Sequence, residues 1–216
     1  MRPESRSVQV TEVFTSIQGE STWAGLPCFF VRLSGCNLRC SYCDTKHAYP
    51  QGRVTSIASV AARFARGTAA LAEITGGEPL AQPGFRALAR SLLDAGGGRP
   101  VLVETNGSLD LSLIPDRAIA IMDIKCPGSG ESAAMDMENL KRLRPHDEVK
   151  FVIADRKDFT WARGVVRKYS LTECCHAVLF SPVSESLSAG KLASWVLDSG
   201  LPVRVQVQLH KVLKVK

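Results

Sequence analysis

Short apolar runs rich in valine, isoleucine and phenylalanine alternate along the chain with stretches whose apolar residues recur at helical spacing. The pattern predicts strands over 8–14, 28–33, 72–75, 101–104, 118–124, 149–153, 178–180 and 203–209. It predicts helices over 57–66, 85–95, 137–143, 159–169 and 189–197. Strand and helix in alternation is the signature of βα units around a parallel sheet. Gly96, Gly97 and Gly98 tolerate positive φ and read as a helix stop and turn, not as a phosphate loop. Only TNGSLDLSLIPDR lies between Glu104 and Ala118. That is too short for a helix with two turns, so one crossover is abbreviated. The expected fold is α/β, an abbreviated, partial (β/α)6 barrel, in a single domain over 1–216 without repeats or a linker.

Polar residues gather at one place in this pattern. Cys36 to Thr45 follow the run ending at Leu33, Gly76, Gly77 and Glu78 follow Thr75, Thr105 and Asn106 follow Glu104, and Lys125 follows Ile124. In parallel α/β folds the residues just past the carboxyl ends of strands face one side, where sites are built. Four strands are therefore expected to deliver polar groups to one mouth.

Composition narrows the picture. With 216 residues and 45% apolar content the chain can bury a substantial core without help from a metal. The amino terminus carries no apolar run long enough for a signal peptide, and no 18-residue apolar stretch occurs. A soluble, cytoplasmic protein without membrane contact is expected. The net charge of +6 calls for an anionic partner, but the basic residues are scattered. Without a basic stripe interleaved with aromatics, a small anionic molecule suits them better than nucleic acid.

Three of the seven cysteines fall within GCNLRCSYCDTKH, at Cys36, Cys40 and Cys43. In a reducing compartment such a cluster reads as metal or catalysis before disulfides. Cys28, Cys126, Cys174 and Cys175 lack this clustering and read as small buried hydrophobes. His47 can complete a closed tetrahedral zinc site, so spacing alone leaves two readings open. Placement after a core strand, with polar loops on three further strands, favours an iron–sulfur cluster. Three thiolates leave one iron of a [4Fe-4S] cluster free, whereas an electron-carrying cluster has a fourth cysteine.

The C-x3-C-x2-C loop, with Tyr42 before the last cysteine and TGGEP at 75–79, resembles the radical S-adenosylmethionine superfamily. SIQGE at 16–20, FFVRLSGCNLRC at 29–40, CDT at 43–45 and QLHK at 208–211 narrow the resemblance to the 7-carboxy-7-deazaguanine synthases. The resemblance implies a radical SAM barrel, a [4Fe-4S] cluster, S-adenosyl-L-methionine and Mg2+. It implies ring contraction of 6-carboxy-5,6,7,8-tetrahydropterin with loss of ammonia, a carbon–nitrogen lyase activity on the way to queuosine. A deoxyadenosyl radical takes the hydrogen at C6 and later returns it. A flavodoxin or ferredoxin as electron donor and a homodimer are likewise implied.

Residue roles follow from the same resemblance. Ile17, Gln18, Gly19 and Glu20 line the pterin, Arg32 receives its carboxylate, and Thr75 and His210 stand near it. The residue after QGE is usually glycine in the family and is Ser21 here. Thr45 is the magnesium ligand. Tyr42, Asp44, Gly76, Gly77, Glu78, Thr105, Asn106, Asp123, Ile124, Lys125, Ser181 and Gln208 are the implied S-adenosylmethionine contacts. An arginine inside FFVRL needs an anion in its own right, since burying an unpaired guanidinium is costly. QGE and TNG, taken without the resemblance, also read as plain turns. His146 and His176 have no constellation. The alternatives are a glycyl-radical activase and a three-Cys, one-His zinc protein that binds RNA.

Overall fold

A computed structural model describes residues 5–216 and, among them, one nine-stranded sheet. Its strands are β1 (Ser7–Ile17), β2 (Pro27–Leu33), β3 (Arg53–Ser56), β4 (Leu71–Gly76), β5 (Val101–Thr105), β6 (Ile119–Ile124), β7 (Glu148–Ile153), β8 (Ala177–Pro182) and β9 (Arg204–Val205). They lie in the order β3-β1-β2-β4-β5-β6-β7-β8-β9. From β2 to β9 every neighbouring pair is parallel, while β1 runs antiparallel to both β2 and β3. Six long parallel strands form the expected partial barrel, and the chain belongs to the α/β class.

Five of the helices are α1 (Ile57–Arg66), α2 (Phe85–Ala95), α3 (Arg156–Lys168), α4 (Leu171–Cys174) and α5 (Ala189–Ser199). In α1 the buried Ile57, Val60, Ala61 and Phe64 recur at three- and four-residue spacing and form one apolar stripe. Asp155 caps α3 by accepting from the amides of Lys157 and Asp158 at 2.8 and 2.9 Å. The strands are buried on both faces, as a parallel sheet requires. Ala72, Ile74, Val103, Phe151 and Phe180 belong to the larger core, where Phe64, Leu88, Leu92 and Phe159 also lie. Each buried Val, Leu, Ile or Phe side chain contributes about 2 kcal/mol. The smaller cluster of Cys28, Phe30, Leu71, Leu102 and Ile121 fills the barrel interior. Above it the same inward register continues with Arg32, Glu73, Thr75 and Glu104.

The structure departs from the hydrophobic pattern at the one-turn helix α4, which the pattern omits, and in three further places. RVTS forms the edge strand β3, which the pattern misses because it lacks an apolar run. The helix expected over 137–143 is a 3-10 turn, Met137–Lys141. Its buried Asn139 is committed to the β5–β6 crossover: it accepts from Leu111 N and donates to the carbonyls of Gly107 and Leu109. The strand expected over 203–209 shrinks to β9, and a sixth helix, α6 (Leu209–Leu213), follows. Gln206 and Gln208 turn their amides to the QGE loop, so the chain leaves the sheet. The short β5–β6 connection holds only a 3-10 turn, Leu111–Leu113, as its length dictates.

Candidate active site

The cysteine loop is pinned between the carboxyl ends of β2 and β4. Gly77 N donates to Leu33 O at 3.1 Å and Glu78 N to Gly35 O at 2.8 Å. Gly35 enters the loop at φ +83°, a left-handed conformation that glycine adopts without strain. Arg39 donates to the carbonyls of Cys36 and Leu38 and lies 4.4 Å over the Tyr49 ring. Ser41 is tied to Ser129 and Gly128, and the Tyr42 hydroxyl donates to Val152 O at 3.2 Å. Seven strands, β1, β2 and β4 to β8, and their loops converge on a cavity of about 270 Å³, and Cys36, Cys40 and Cys43 all line it.

The donor set fits a cluster with one open position. The three thiols are free and half-buried. His47 turns its Nε2 to Glu12 at 3.5 Å. Asp44 is taken up by Thr45, Gln208 and Lys211. Cys36 Sγ accepts weakly from Leu38 N at 3.5 Å and Asn106 Nδ2 at 3.9 Å, the kind of donors that tune a ligating sulfur. The surroundings also fit an amino acid and a ribose. Gly76 and Gly77 face the cavity without side chains, and Asp123 Oδ1 is buried there without a hydrogen-bond partner among the described residues. Its sister oxygen accepts from Lys125 Nζ at 2.9 Å. A buried acceptor left open in a cavity is costly until a ligand donor reaches it.

Two residues given to S-adenosylmethionine do not line the cavity. Glu78 is fully buried, with Leu80 N and Thr105 Oγ1 on one oxygen and Asn106 N on the other. Its carboxylate holds the TNG turn through these three donors. Ile124 points into the apolar core, as the pleat demands for the residue between Asp123 and Lys125. Tyr42, Asp44, Thr45, Thr75, Thr105, Asn106, Ser181, Gln208 and His210 do line the cavity, with Ile17, Gln18, Gly19, Glu20 and Arg32.

The QGE segment is held from both sides. Gln18 Nε2 donates to Glu73, and Gln18 Oε1 accepts from Glu20 N at 3.1 Å. Glu20 accepts from Lys150 Nζ at 2.7 Å, Gln206 Nε2 at 3.1 Å and Gln208 Nε2 at 2.7 Å. Leu209 N donates to Gly19 O at 2.9 Å, which lays the chain's end across the mouth. Ser21, where the family usually has glycine, keeps a glycine-like φ of +66°. It accepts from Trp23 N on its hydroxyl and donates its amide to Gln206. Arg32 gives its Nε to Glu12 at 2.8 Å, and Glu12 also meets Lys216.

Sequence reasoning misses the cavity's charged floor. Glu73 on β4, Glu104 on β5 and Lys150 on β7 all line it. Lys150 is buried and faces Glu104, Glu20 and Asp123. Burial opposes its charge, yet these three carboxylates hold its pKa well above the lysine range. Burial also opposes ionisation of Glu104, but Lys150 and the Thr75 hydroxyl hold its pKa below the usual carboxylate range. Glu73 goes the other way: burial, then the charge of Glu104, push it up to about 8. The available signal is a charge at an inward position of an apolar strand, in LAEIT, VLVET and EVKFVI. The same signal singles out Arg32.

Comparisons with known proteins agree with this geometry. The radical SAM superfamily matches residues 30–126. The 7-carboxy-7-deazaguanine synthase of Koribacter versatilis is 41% identical over 94% of this chain and 96% of its own. That of Chlorobaculum tepidum is 39% identical over 94% and 93%. The crystal structure of QueE from Escherichia coli superposes with a TM-score of 0.71 at 21% identity, covering 94% of this chain and 95% of that one. Streptococcus suis SuiB bound to S-adenosylmethionine gives 0.55 at 10% identity, over 80% and 44%. Both structures share the fold. With two curated relatives near 40% identity along almost their whole length, the chain belongs to the 7-carboxy-7-deazaguanine synthase family of radical SAM enzymes, which serves deazapurine biosynthesis.

Proposed function

We propose that the chain, working as one domain over 1–216, converts 6-carboxy-5,6,7,8-tetrahydropterin to 7-carboxy-7-deazaguanine with loss of ammonia. The observation that carries this reading is that Arg32, the QGE segment and the three-cysteine loop all open on one cavity. Cys36, Cys40 and Cys43 would hold a [4Fe-4S] cluster whose open iron binds S-adenosylmethionine. When bound, the pair supplies one-electron cleavage chemistry and a hydrogen-abstracting carbon radical; placing and shielding the substrate falls to the protein.

Gly76 and Gly77 admit the methionine part, and Asp123 Oδ1 is the open acceptor for a ribose hydroxyl or an amine. Arg32 offers the guanidinium that suits a carboxylate. The backbone of residues 17–19 and the side chains of Gln18 and Glu20 suit the amide and amino edge of a pterin. Thr45 is the one protein oxygen we assign to Mg2+, which retains substrate oxygens and water as its other ligands. A flavodoxin or ferredoxin as reductant, a homodimer and a cytoplasmic setting complete the reading. Among the described residues no helix is long and apolar enough to cross a membrane.

The test is anaerobic incubation with S-adenosylmethionine, a reductant, magnesium and the carboxypterin, followed by mass analysis. The expected product is lighter than the substrate by one ammonia. Cleaved cofactor with intact pterin would sink the substrate assignment.

A further inference from the structure

Four carboxylates and two ammonium groups share the inner end of the cavity: Glu20, Glu73, Glu104 and Asp123 against Lys125 and Lys150. Lys150 meets three of the carboxylates, and Lys125 meets Asp123. Among the described residues Glu73 forms no ion pair; its polar contact is the amide of Gln18. Glu73 and Glu104 stand on adjacent parallel strands and on the same face, since Glu73 is in register with Leu102 and Glu104 lies two residues further on. Two carboxyls are therefore diagonal neighbours on one face, one beside a lysine and one beside a neutral amide.

The reaction proposed above needs such a pair. Substrate and product differ by the elements of ammonia, so its last stage is redox-neutral. One carbon–nitrogen bond breaks with its electron pair going to nitrogen. One proton must reach that nitrogen, and one must leave carbon. We infer that Glu73 is the acid that protonates the departing amine and that Glu104, paired with Lys150, is the base that takes the carbon-bound proton. The proton then passes from Glu104 back to Glu73, which resets the site. This assignment rests on the carboxypterin reading.

The electrostatics agree. Glu73 faces Glu104 on β5, Glu20 after β1, Lys150 on β7 and Cys28 on β2, and burial with the two carboxylates outweighs the lysine. Glu104 faces Lys150, Lys125 and the Thr75 hydroxyl as well as Glu73. Two neighbouring carboxyls whose environments drive their pKa values apart mark an acid and a base. A neutral Glu73 also keeps negative charge away from the substrate carboxylate at Arg32.

Two measurements on the full chain test this. Infrared difference spectra of wild type, without substrate, are expected to show a protonated-carboxyl band at pH 7 that disappears as pH rises through about 8 and is missing in Glu73→Gln. Carboxypterin labelled with deuterium at C6 is then given to the loaded Glu73→Gln enzyme. Deuterium should still appear in re-isolated S-adenosylmethionine and carboxypterin affinity should stay within a few-fold, while ammonia release falls about 100-fold or more. A band that survives in Glu73→Gln, or ammonia release at the wild-type rate, overturns the assignment. Failure of wild type itself to transfer deuterium or release ammonia removes the carboxypterin reading and this one with it. A lost deuterium transfer in the variant alone makes Glu73 a binding residue and overturns the acid role.

Discussion

Lys150 Nζ lies 2.7 Å from Glu20 Oε2, although 130 residues separate them. The contact ties the middle of β7 to the loop after β1, and the same ammonium reaches Glu104 and Asp123. Replacing Lys150 with alanine leaves three carboxylates facing one another in a largely dry site. The expected loss of stability is about 3 to 5 kcal/mol, read from urea unfolding near neutral pH. The deficit should shrink as pH falls into the carboxylate range, because protonation removes the repulsion. A loss below about 1 kcal/mol at pH 7 would mean that the four groups do not act as a unit.

The parallel strands are legible in the sequence because both faces of each are buried, and the mouth is legible because strand ends are where polar residues can stay. The charged floor is harder. A lysine in EVKFVI announces that a counter-charge exists, but not that it sits 46 residues away in VLVET. Only the closed barrel brings these strands to one centre. The carboxyl end misleads for a different reason: VRVQVQL alternates as a strand should, yet Gln206 and Gln208 bond Ser21 and Glu20. Alternation reports which residues are polar, and not whether a neighbouring strand or a loop receives them. Glu78 shows a second limit, since the motif does not reveal that its carboxylate also holds the TNG turn.

A methyl group added at Gly77 would lie 1.9 Å from Gly35 O and 3.0 Å from Cys36 Cβ. Backbone cannot give way at that distance without moving the cysteine loop. Gly77→Ala is expected to purify with most of its iron missing and near-native circular dichroism. Gly164→Ala, in a helix with open space around it, should keep its iron and gain up to about 1 kcal/mol. Full iron content in Gly77→Ala would contradict the loop geometry.

Replacing Cys36, Cys40 or Cys43 with alanine should abolish activity and deplete iron, whereas Cys28→Ala, Cys174→Ala and Cys175→Ala should leave the cluster in place. The informative control is His47→Ala. His47 faces Glu12, so iron and sulfide should remain at wild-type levels. Metal loss as complete as in a cysteine variant would restore the closed four-ligand site.

The elevated pKa of Glu73 carries a stability signature. Between its ordinary value of 4.5 and about 8 the unfolded chain has released the Glu73 proton while the folded chain keeps it. The unfolded state then binds fewer protons, so stability must fall with rising pH across that window, by at most about 1.4 kcal/mol per pH unit. Glu73→Gln lacks this slope. The variant's urea midpoint relative to wild type should therefore climb from pH 5 to pH 8. A difference that stays flat across the window would mean that Glu73 titrates as an ordinary carboxylate.

Arg32 tests the substrate and not merely the superfamily. Its Nε is engaged by Glu12, and its guanidinium carbon lies over the Phe14 ring, 5.9 Å from the centroid, so the guanidinium is held in place before any ligand arrives. A guanidinium fixed in this way binds a carboxylate without first losing side-chain freedom. Arg32→Ala removes that charge-assisted contact and exposes the substrate carboxylate to Glu12. Affinity for the carboxypterin should fall by about 2 to 5 kcal/mol, or roughly 30-fold to several thousandfold. Arg32→Lys should recover part of the loss, since an ammonium keeps the charge but not the two-pronged geometry. Iron content and substrate-independent cleavage of S-adenosylmethionine should persist in both variants, because among the described residues Arg32 bonds Glu12 and no cysteine. Should Arg32→Ala bind the carboxypterin normally and lose its iron instead, the pair Arg32–Glu12 is a brace for the cysteine loop, and the substrate carboxylate must be received elsewhere.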